Sequence, residues 1–383
     1  MKKIIVPLWA IGALALFLYS FTQIDLSLTF SRVSIWQGIQ KAFQYVGYFN
    51  RPLSTYLFIG IVLFLFFLYI TTLRLVKQNK LKAKTVWIII IGLCFALFLS
   101  YNAFSYDIFN YIFDAKILVH YGQSPYLHKA LDYPGDPMLS FMRWTHRTYP
   151  YGPFWLVLTV PLYFIGLGYF IITFYLFKLL MLANYIGSGF LIEKIAKKLN
   201  VDPLLSLAAF VLNPLVIIES LVSAHNDIVM IFFSLLGLLF FLEGKYFKSA
   251  VGMIISIAIK FATVLMIPAF LAKIVFKVKN DTFIYILIIG MSIGVFLASY
   301  RTTFQPWYLV LVIPFASLAI KKKFVAIPTV IISIFALFQY APYLYLGNWD
   351  PPVPIYLSYM LYGSIIASII LFLFFTFAKS RKK

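Results

Sequence analysis

The chain has 383 residues, of which 63% are hydrophobic and only 11% charged, and it carries a formal net charge of +20. A mean hydropathy of +0.93 with repeated apolar runs of about 20 residues excludes a soluble domain and points to a polytopic membrane protein. The single cysteine, Cys94, excludes a disulfide framework and a cysteine-based metal site. Lys and Arg cluster at the ends of the apolar runs, so the positive charge reads as topology anchors and affinity for anionic lipid, with no nucleic-acid partner expected.

Met1-Lys2-Lys3 followed by Ile4 to Ser20 reads as an uncleaved anchor with its N-terminus in the cytoplasm, because no small-residue cleavage site follows. Residues 23–51 are then exterior, and Leu53 to Leu73 returns to the densest basic loop, Arg74, Lys77, Lys80, Lys82 and Lys84, which belongs in the cytoplasm. Thr85 to Tyr101 crosses outward again. The expected fold is an all-α integral membrane protein of roughly 12 transmembrane helices in one polytopic domain. Three N-terminal spans fill 1–101, a long exterior loop fills 102–152, and the remaining spans fill 153–383.

The exterior loop opens on Ser105 to Gly122. Read as a helix, Asp107, Asn110, Asp114 and, more loosely, His120 share one side, while Ile108, Phe109, Ile112, Phe113 and Leu118 share the other. Gly122 stands where a C-terminal cap belongs, and Pro125 opposes continuation. Such a helix is expected to lie in the membrane interface with its carboxylates facing water.

Beyond the loop, spans are expected near 153–168, 170–190, 203–222, 228–243 and 249–272, with Pro161, Pro203, Pro214 and Pro268 as candidate breaks. This count places Lys194, Lys197 and Lys198 outside, against the charge rule, and puts His225-Asn226-Asp227 toward the cytoplasmic side. Counting back from Ser380-Arg381-Lys382-Lys383 through spans near 355–378, 324–345, 307–320 and 282–300 places Lys321–Lys323 and Lys273–Lys279 in the cytoplasm. Arg301 to Trp307 then falls on the side of Asp107.

With only twelve Asp and Glu in the chain, their placement is informative. Asp107, Asp114, Asp132 and Asp136 share the exterior loop with His120, His128, His146, Lys116, Lys129, Arg143 and Arg147. Glu219, Asp227 and Lys260 lie in or beside apolar runs, where an ionisable group is either functional or half of a buried pair. An exterior carboxylate with cations nearby suits a general base acting beside a departing phosphate. The spacing of the loop His and Asp residues matches no compact ligand motif, so neither a cofactor nor a resident metal is indicated, although the residue types would suit a divalent cation. No glycine-rich nucleotide fingerprint stands in strand–helix context.

Asp107-Ile-Phe-Asn-Tyr111, Tyr121-Gly-Gln-Ser-Pro-Tyr126 and Tyr151-Gly-Pro-Phe-Trp155 resemble the membrane glycosyltransferases of the GT-C superfamily, most closely the polyprenol-phosphate-mannose-dependent α-mannosyltransferases. Asn213-Pro-Leu215 leading to His225-Asn226-Asp227, and Gln305-Pro-Trp-Tyr308 leading to Pro314, follow the same order, so the resemblance covers 107–314. It implies an inverting glycosyltransferase moving a hexose, mannose, from a polyprenyl-phosphate donor to an exterior glycan or glycolipid acceptor. It also implies an active site on the outer face of the membrane; the charge rule places both termini in the cytoplasm, and with no organellar targeting peptide in the sequence a multi-pass plasma-membrane location is expected. By that resemblance Asp107 is the catalytic base, assisted by Asp114. Tyr111, Lys116, His128, Arg143, Tyr149, Tyr151, Arg301, Gln305 and Trp307 are candidate substrate contacts, with Glu219, His225, Asp227 and Lys260 in support. Family members often carry a His where Gln305 stands. The competing class, a transporter or lipid flippase, would spread its charges along paired broken helices in symmetric halves; here carboxylates concentrate in one loop and no repeat is visible.

Overall fold

The computed structural model describes residues 3–380, and the terminal groups Met1-Lys2 and Arg381-Lys382-Lys383 lie outside the described residues. Every regular element described is helical; the nearest thing to a strand is one isolated bridge between Lys129 and Thr148. Among the described residues six helices are long and apolar enough to cross a membrane: α1 (Ile5–Ser20, extended to Gln23), α3 (Arg51–Lys77), α7 (Phe170–Lys198), α13 (Asn280–Arg301), α15 running into α16 (Lys323–Leu346), and α17 (Val353–Ser380). The prolines predicted as breaks at 203 and 214 open two helices, α8 (Pro203–Val211) and α9 (Pro214–Ile217), the latter continued to Val222 by a π turn; the pair is bent by 56°. Shorter apolar helices fill the rest: α4 (Ala83–Phe98), α6 (Pro153–Ile165), α10 (Asp227–Leu242), α11 (Tyr246–Ile259) and Phe261–Val275, whose second part is α12 (Ile267–Val275).

The helices run between two ends of different character. At one end Lys321 pairs with Asp202 and Lys322 with Asp281, while Lys273 Nζ reaches Asn280 Oδ1 and Asn280 Nδ2 donates to the Leu199 carbonyl. The C-terminus of α7, with Lys197 and Lys198, therefore sits beside 273–281 and 321–323. Trp87 stacks on Phe190 at 4.2 Å, which brings the start of α4 to the same end. At the opposite end Asp107 meets His225, on which Trp307 stacks, and Tyr340 bonds Glu219 of the same segment.

This arrangement corrects the expected path in two places. The span expected at 153–168 does not run from one end to the other. Gly152, at its start, donates to Ile259 O (3.0 Å), and Gly166, at its far end, is close enough to Thr173 that a Cβ there would fall 2.0 Å from the hydroxyl. The α7 residues that follow pack Phe170 and Phe174 on Phe109, and Phe170 on Phe141. A helix of 13 residues is only about 20 Å long, and α6 spends that length along α5. Conversely, the span expected at 249–272 is two segments. The backbone is extended at Lys260, and Ser256 Oγ lies 2.8 Å from Thr263 Oγ1, so the chain folds back on itself there. One crossing fewer and one more explain why the counts from both termini agreed while the middle broke the charge rule. The segment expected at 307–320 is a 3-10 turn, Pro306–Leu311, followed by the six-residue α14 (Ile313–Leu318).

The helix predicted from Asp107 forms as α5 (Asp107–Val119), and Gly122 adopts φ +63° just beyond it. It is not an interfacial helix with its carboxylates in bulk water. Ile108, Phe109, Tyr111, Ile112, Phe113, Ala115 and Ile117 are all buried, and Asp107 points inward. The amphipathic surface element is instead α2 (Ser34–Gln44), whose polar side anchors Gln40 and Gln44 to the carbonyls of Leu28, Ile24 and Asp25 while Ile35 and Ile39 face outward.

In a Cys94→Ser background, single cysteines replacing Lys198 and Lys321 should react with a membrane-impermeant maleimide from the same side of sealed vesicles. A cysteine replacing exposed Leu127 should react only from the other side. Labelling of Lys198→Cys and Leu127→Cys from one side would contradict this path.

Candidate active site

Three breaks in helical backbone converge on the N-terminus of α5. The first is the connection Ser223–Asn226 between the π turn and α10, the second is the reversal at Lys260, and the third is the 3-10 turn carrying Trp307. His225, 1% exposed, lies between two carboxylates: its Nδ1 is 3.5 Å from Asp107 Oδ2 and its Nε2 is 3.3 Å from Glu219 Oε2. Both contacts lie off the hydrogen-bonding directions, so charge rather than aligned hydrogen bonds holds the ring. Trp307 stacks on its face at 4.2 Å with planes 20° apart. Tyr340 Oη donates to Glu219 Oε1 at 2.9 Å, fixing the inner, fully buried carboxylate. Beside this row, Lys260 Nζ donates to both oxygens of Asp227 at 2.8 and 2.9 Å.

Burial opposes charge on His225, but the flanking carboxylates outweigh it and raise the imidazole from its ordinary 6.5 to about 9. Burial also pushes the Asp107 carboxyl up, and here the neighbouring His225 outweighs it, with Lys260 and Arg147 adding to the effect, so the group stays below the ordinary carboxylate value. Asp114, two turns along α5, has no cation beside it; burial, reinforced by the charge of Asp107, holds it well above the carboxylate range. One face of α5 thus presents two carboxyls whose environments shift them in opposite directions, Asp107 down and Asp114 up.

The aromatic motifs build the wall. Tyr111 lies edge-on to Tyr151 and Trp155 at 5.3 and 5.2 Å, and its hydroxyl accepts from the Asn226 backbone N–H at 3.4 Å. Tyr149 Oη donates to Gly152 O at 2.8 Å, and Tyr149 N donates to Pro125 O, so the Tyr121–Tyr126 turn docks on the Tyr149–Gly152 turn. A Cβ on Gly152 would fall 2.2 Å from the Ala258 carbonyl oxygen. Only glycine lets this strand of loop approach the Lys260 reversal.

The profile of the alpha-(1->6)-mannopyranosyltransferase family, N-terminal domain, matches residues 9–277. The chain belongs to this family. Alpha-(1->6)-mannopyranosyltransferase A of Corynebacterium glutamicum is 25% identical over 194 residues, which is 49% of this chain and 38% of that protein. The chain thus matches well under two thirds of that relative's length. No solved structure matches.

Within this alpha-(1->6)-mannopyranosyltransferase family member, the candidate residues separate into two groups. Asp107, Tyr111, Tyr151, Glu219, His225, Asp227, Lys260 and Trp307 come together, and Asp114 follows on the same helix. Lys116, His128 and Arg143 are tied into the framework of the loop. Lys116 pairs with Asp136 and His128 faces Asp132 at 3.6 Å; Arg143 reaches Asp25 at 3.3 Å and lies over the Tyr106 ring. Arg301 is exposed at the end of α13, and Gln305 donates to Thr303. The assignment of His225-Asn226-Asp227 to the cytoplasmic side is corrected: α6 does not traverse, so the 203–222 pair runs toward Asp107.

Two contributors lie outside the residues that the sequence singles out. Tyr340 is one tyrosine among 27. Lys178, 2% exposed inside α7, donates to the carbonyls of Leu97 and Ser100 at the C-terminus of α4 and so positions the connection that leads to Asp107. A lone lysine in an apolar span signals function or a partner; it does not say that the partner is a helix end.

The folded value of His225 lies above its unfolded value, so its contribution to stability is complete below about 6.5 and lost as pH rises through about 9. Melting temperature in detergent should fall between pH 6.5 and 9.5, and His225→Gln should flatten that fall. An equally steep fall in the variant would remove His225 as its cause.

Proposed function

We propose that the protein transfers a mannosyl group from a polyprenyl-phosphate donor to a hydroxyl of a glycan or glycolipid, with inversion and with Asp107 as general base. The observation that carries this reading is an ionised carboxylate, 17% exposed, held at the edge of a buried charge row on a helix of the family's matched region. The acceptor oxygen attacks C1 of the sugar as the bond from C1 to the phosphate oxygen breaks. The acceptor proton passes to Asp107, and the lipid phosphate leaves with the bonding electrons. A carboxylate of lowered basicity serves because the hydroxyl becomes acidic only as its bond to C1 forms. Asp114, whose carboxyl burial shifts toward its protonated form, is the second carboxyl available to hydrogen-bond a sugar or acceptor hydroxyl.

Lys260 and Arg147 supply positive field on the Asp107 side of the site and are the cations best placed for the departing phosphate. Lys260 is 27% exposed at its side chain while still holding Asp227. Arg301 and Gln305, on the segment that carries Trp307, are candidates for the sugar or phosphate from the other side. The basic end faces the cytoplasm by the charge rule, which turns the site end to the exterior of the plasma membrane. Family membership supports transfer of mannose over transport or lipid flipping, for which no comparable support exists.

Asp107→Asn should retain folding and lose at least about 10³-fold in transfer of radiolabelled mannose from polyprenyl phosphate into a membrane glycolipid, a loss at the upper part of the range for a general base. Asp114→Asn should lose about tenfold, as expected for one hydrogen bond. Normal turnover by Asp107→Asn would refute the base assignment.

A further inference from the structure

Buried polar side-chain atoms without a hydrogen-bond partner are concentrated in one short stretch. Eleven such atoms occur among the described residues, and seven of them belong to Glu219, Ser220, Ser223, His225 and Asn226. Asn110 Oδ1 and Trp155 Nε1, near Asp107 and Tyr111, are two more. The backbone here is not at fault. Ser223 N donates to Ile218 O, His225 N to Glu219 O, and the Asn226 carbonyl accepts from Val229 and Met230. Side chains alone are left over, and buried polar groups are ordinarily paired.

The charged groups in this stretch face one another: His225 lies between Asp107 and Glu219, and Lys260 holds Asp227. The other unpartnered side chains, Ser220, Ser223 and Asn226, are neutral. Asn226 is fully buried between these two charge pairs, with both its amide oxygen and its amide nitrogen free, and Ser223 at 0% exposure offers a hydroxyl. An amide that both donates and accepts, beside hydroxyl and amide oxygens, matches neighbouring hydroxyls on a sugar ring, each also donor and acceptor. It does not match a phosphate, which needs donors only, or a cation, which needs acceptors only.

We infer that Asn226, with Ser223 and Asn110, forms a hydroxyl-binding subsite for a hexose directly behind the Asp107–His225 pair. The inference rests on reading the protein as a hexosyltransferase and adds the residues that select the sugar. Asp107 and Lys260, the partly exposed members of the cluster, mark the opening. The amide atoms are fully covered, so contact with the sugar accompanies a local opening of the wall. The hexose is either the transferred mannosyl group or the terminal sugar of the acceptor, which share this chemistry.

The test uses the purified full chain, Asn226→Leu and Ser223→Ala. Leu is close to Asn in shape and removes both unpartnered atoms, so without sugar Asn226→Leu should melt no lower than the wild type. Methyl α-mannoside should raise the wild-type melting temperature by about 2–4 °C, sorbitol at equal osmolality should not, and Asn226→Leu should lose the shift. In transfer assays both variants should lose about 10- to 100-fold in kcat/KM. A rise confined to the donor KM assigns the subsite to the transferred sugar, and one confined to the acceptor KM assigns it to the acceptor. Unchanged kinetics in both variants, or a mannoside shift undiminished in Asn226→Leu, would overturn the inference. A mannoside shift lost in Asn226→Leu, with no transfer by the wild type, would uphold the subsite and refute the proposed reaction.

Discussion

An imidazole pinned between two carboxylates inside an apolar helical protein is the constraint around which this structure is arranged. A carboxylate removed from water without a partner costs several kcal/mol, and a buried pair is tolerated only when its geometry is supplied by surrounding structure. Asp107 comes from α5, whereas His225 and Glu219 come from the connection before α10 and the π turn just ahead of it, more than one hundred residues further along the chain. Tyr340 closes the row from α16, and Trp307 covers the ring from the 3-10 turn. Removal of any one would leave the others with charge or polarity exposed to hydrocarbon or protein interior.

The irregular backbone follows from that requirement. In a membrane, non-helical segments survive only where protein covers them or where they line a cavity. The connection Ser223–Asn226, the reversal at Lys260 and the turn at Trp307 all meet at the site. Each places a polar side chain where a continuous helix would have presented one face only. The loop before α6 plays the complementary part. Lys116 with Asp136, Arg143 with Asp25, and Tyr121 stacked on Tyr133 hold the loop together, and Gly152 lets it approach α11 closely. The charges that looked available for substrate in the sequence are partly consumed in building this cover.

The helices themselves, most of their boundaries and the prominence of the loop were legible without coordinates, because an apolar run of twenty residues has few physical alternatives. So were the proline breaks at 203 and 214 and the isolation of Asp107 at the head of an amphipathic helix. Motif order along 107–314 was also sufficient to indicate the family. Hydropathy could not decide whether α6 crosses or returns, since 13 apolar residues fit either path, nor whether residues 249–272 form one helix or two.

Sequence by itself therefore determined most local states: where helices form, the proline breaks at 203 and 214, and which residues share a face, since these depend on neighbours within a few turns. Tertiary structure alone decided that His225 and Glu219 stand against Asp107, that Lys260 meets Asp227, and that Lys116, His128 and Arg143 turn away to other partners. Those outcomes depend on which helices lie side by side and at which end each terminates. Helical period carries no information about either, because an apolar face fits many apolar faces equally well, whereas a buried charge accepts only the partner that compensates it.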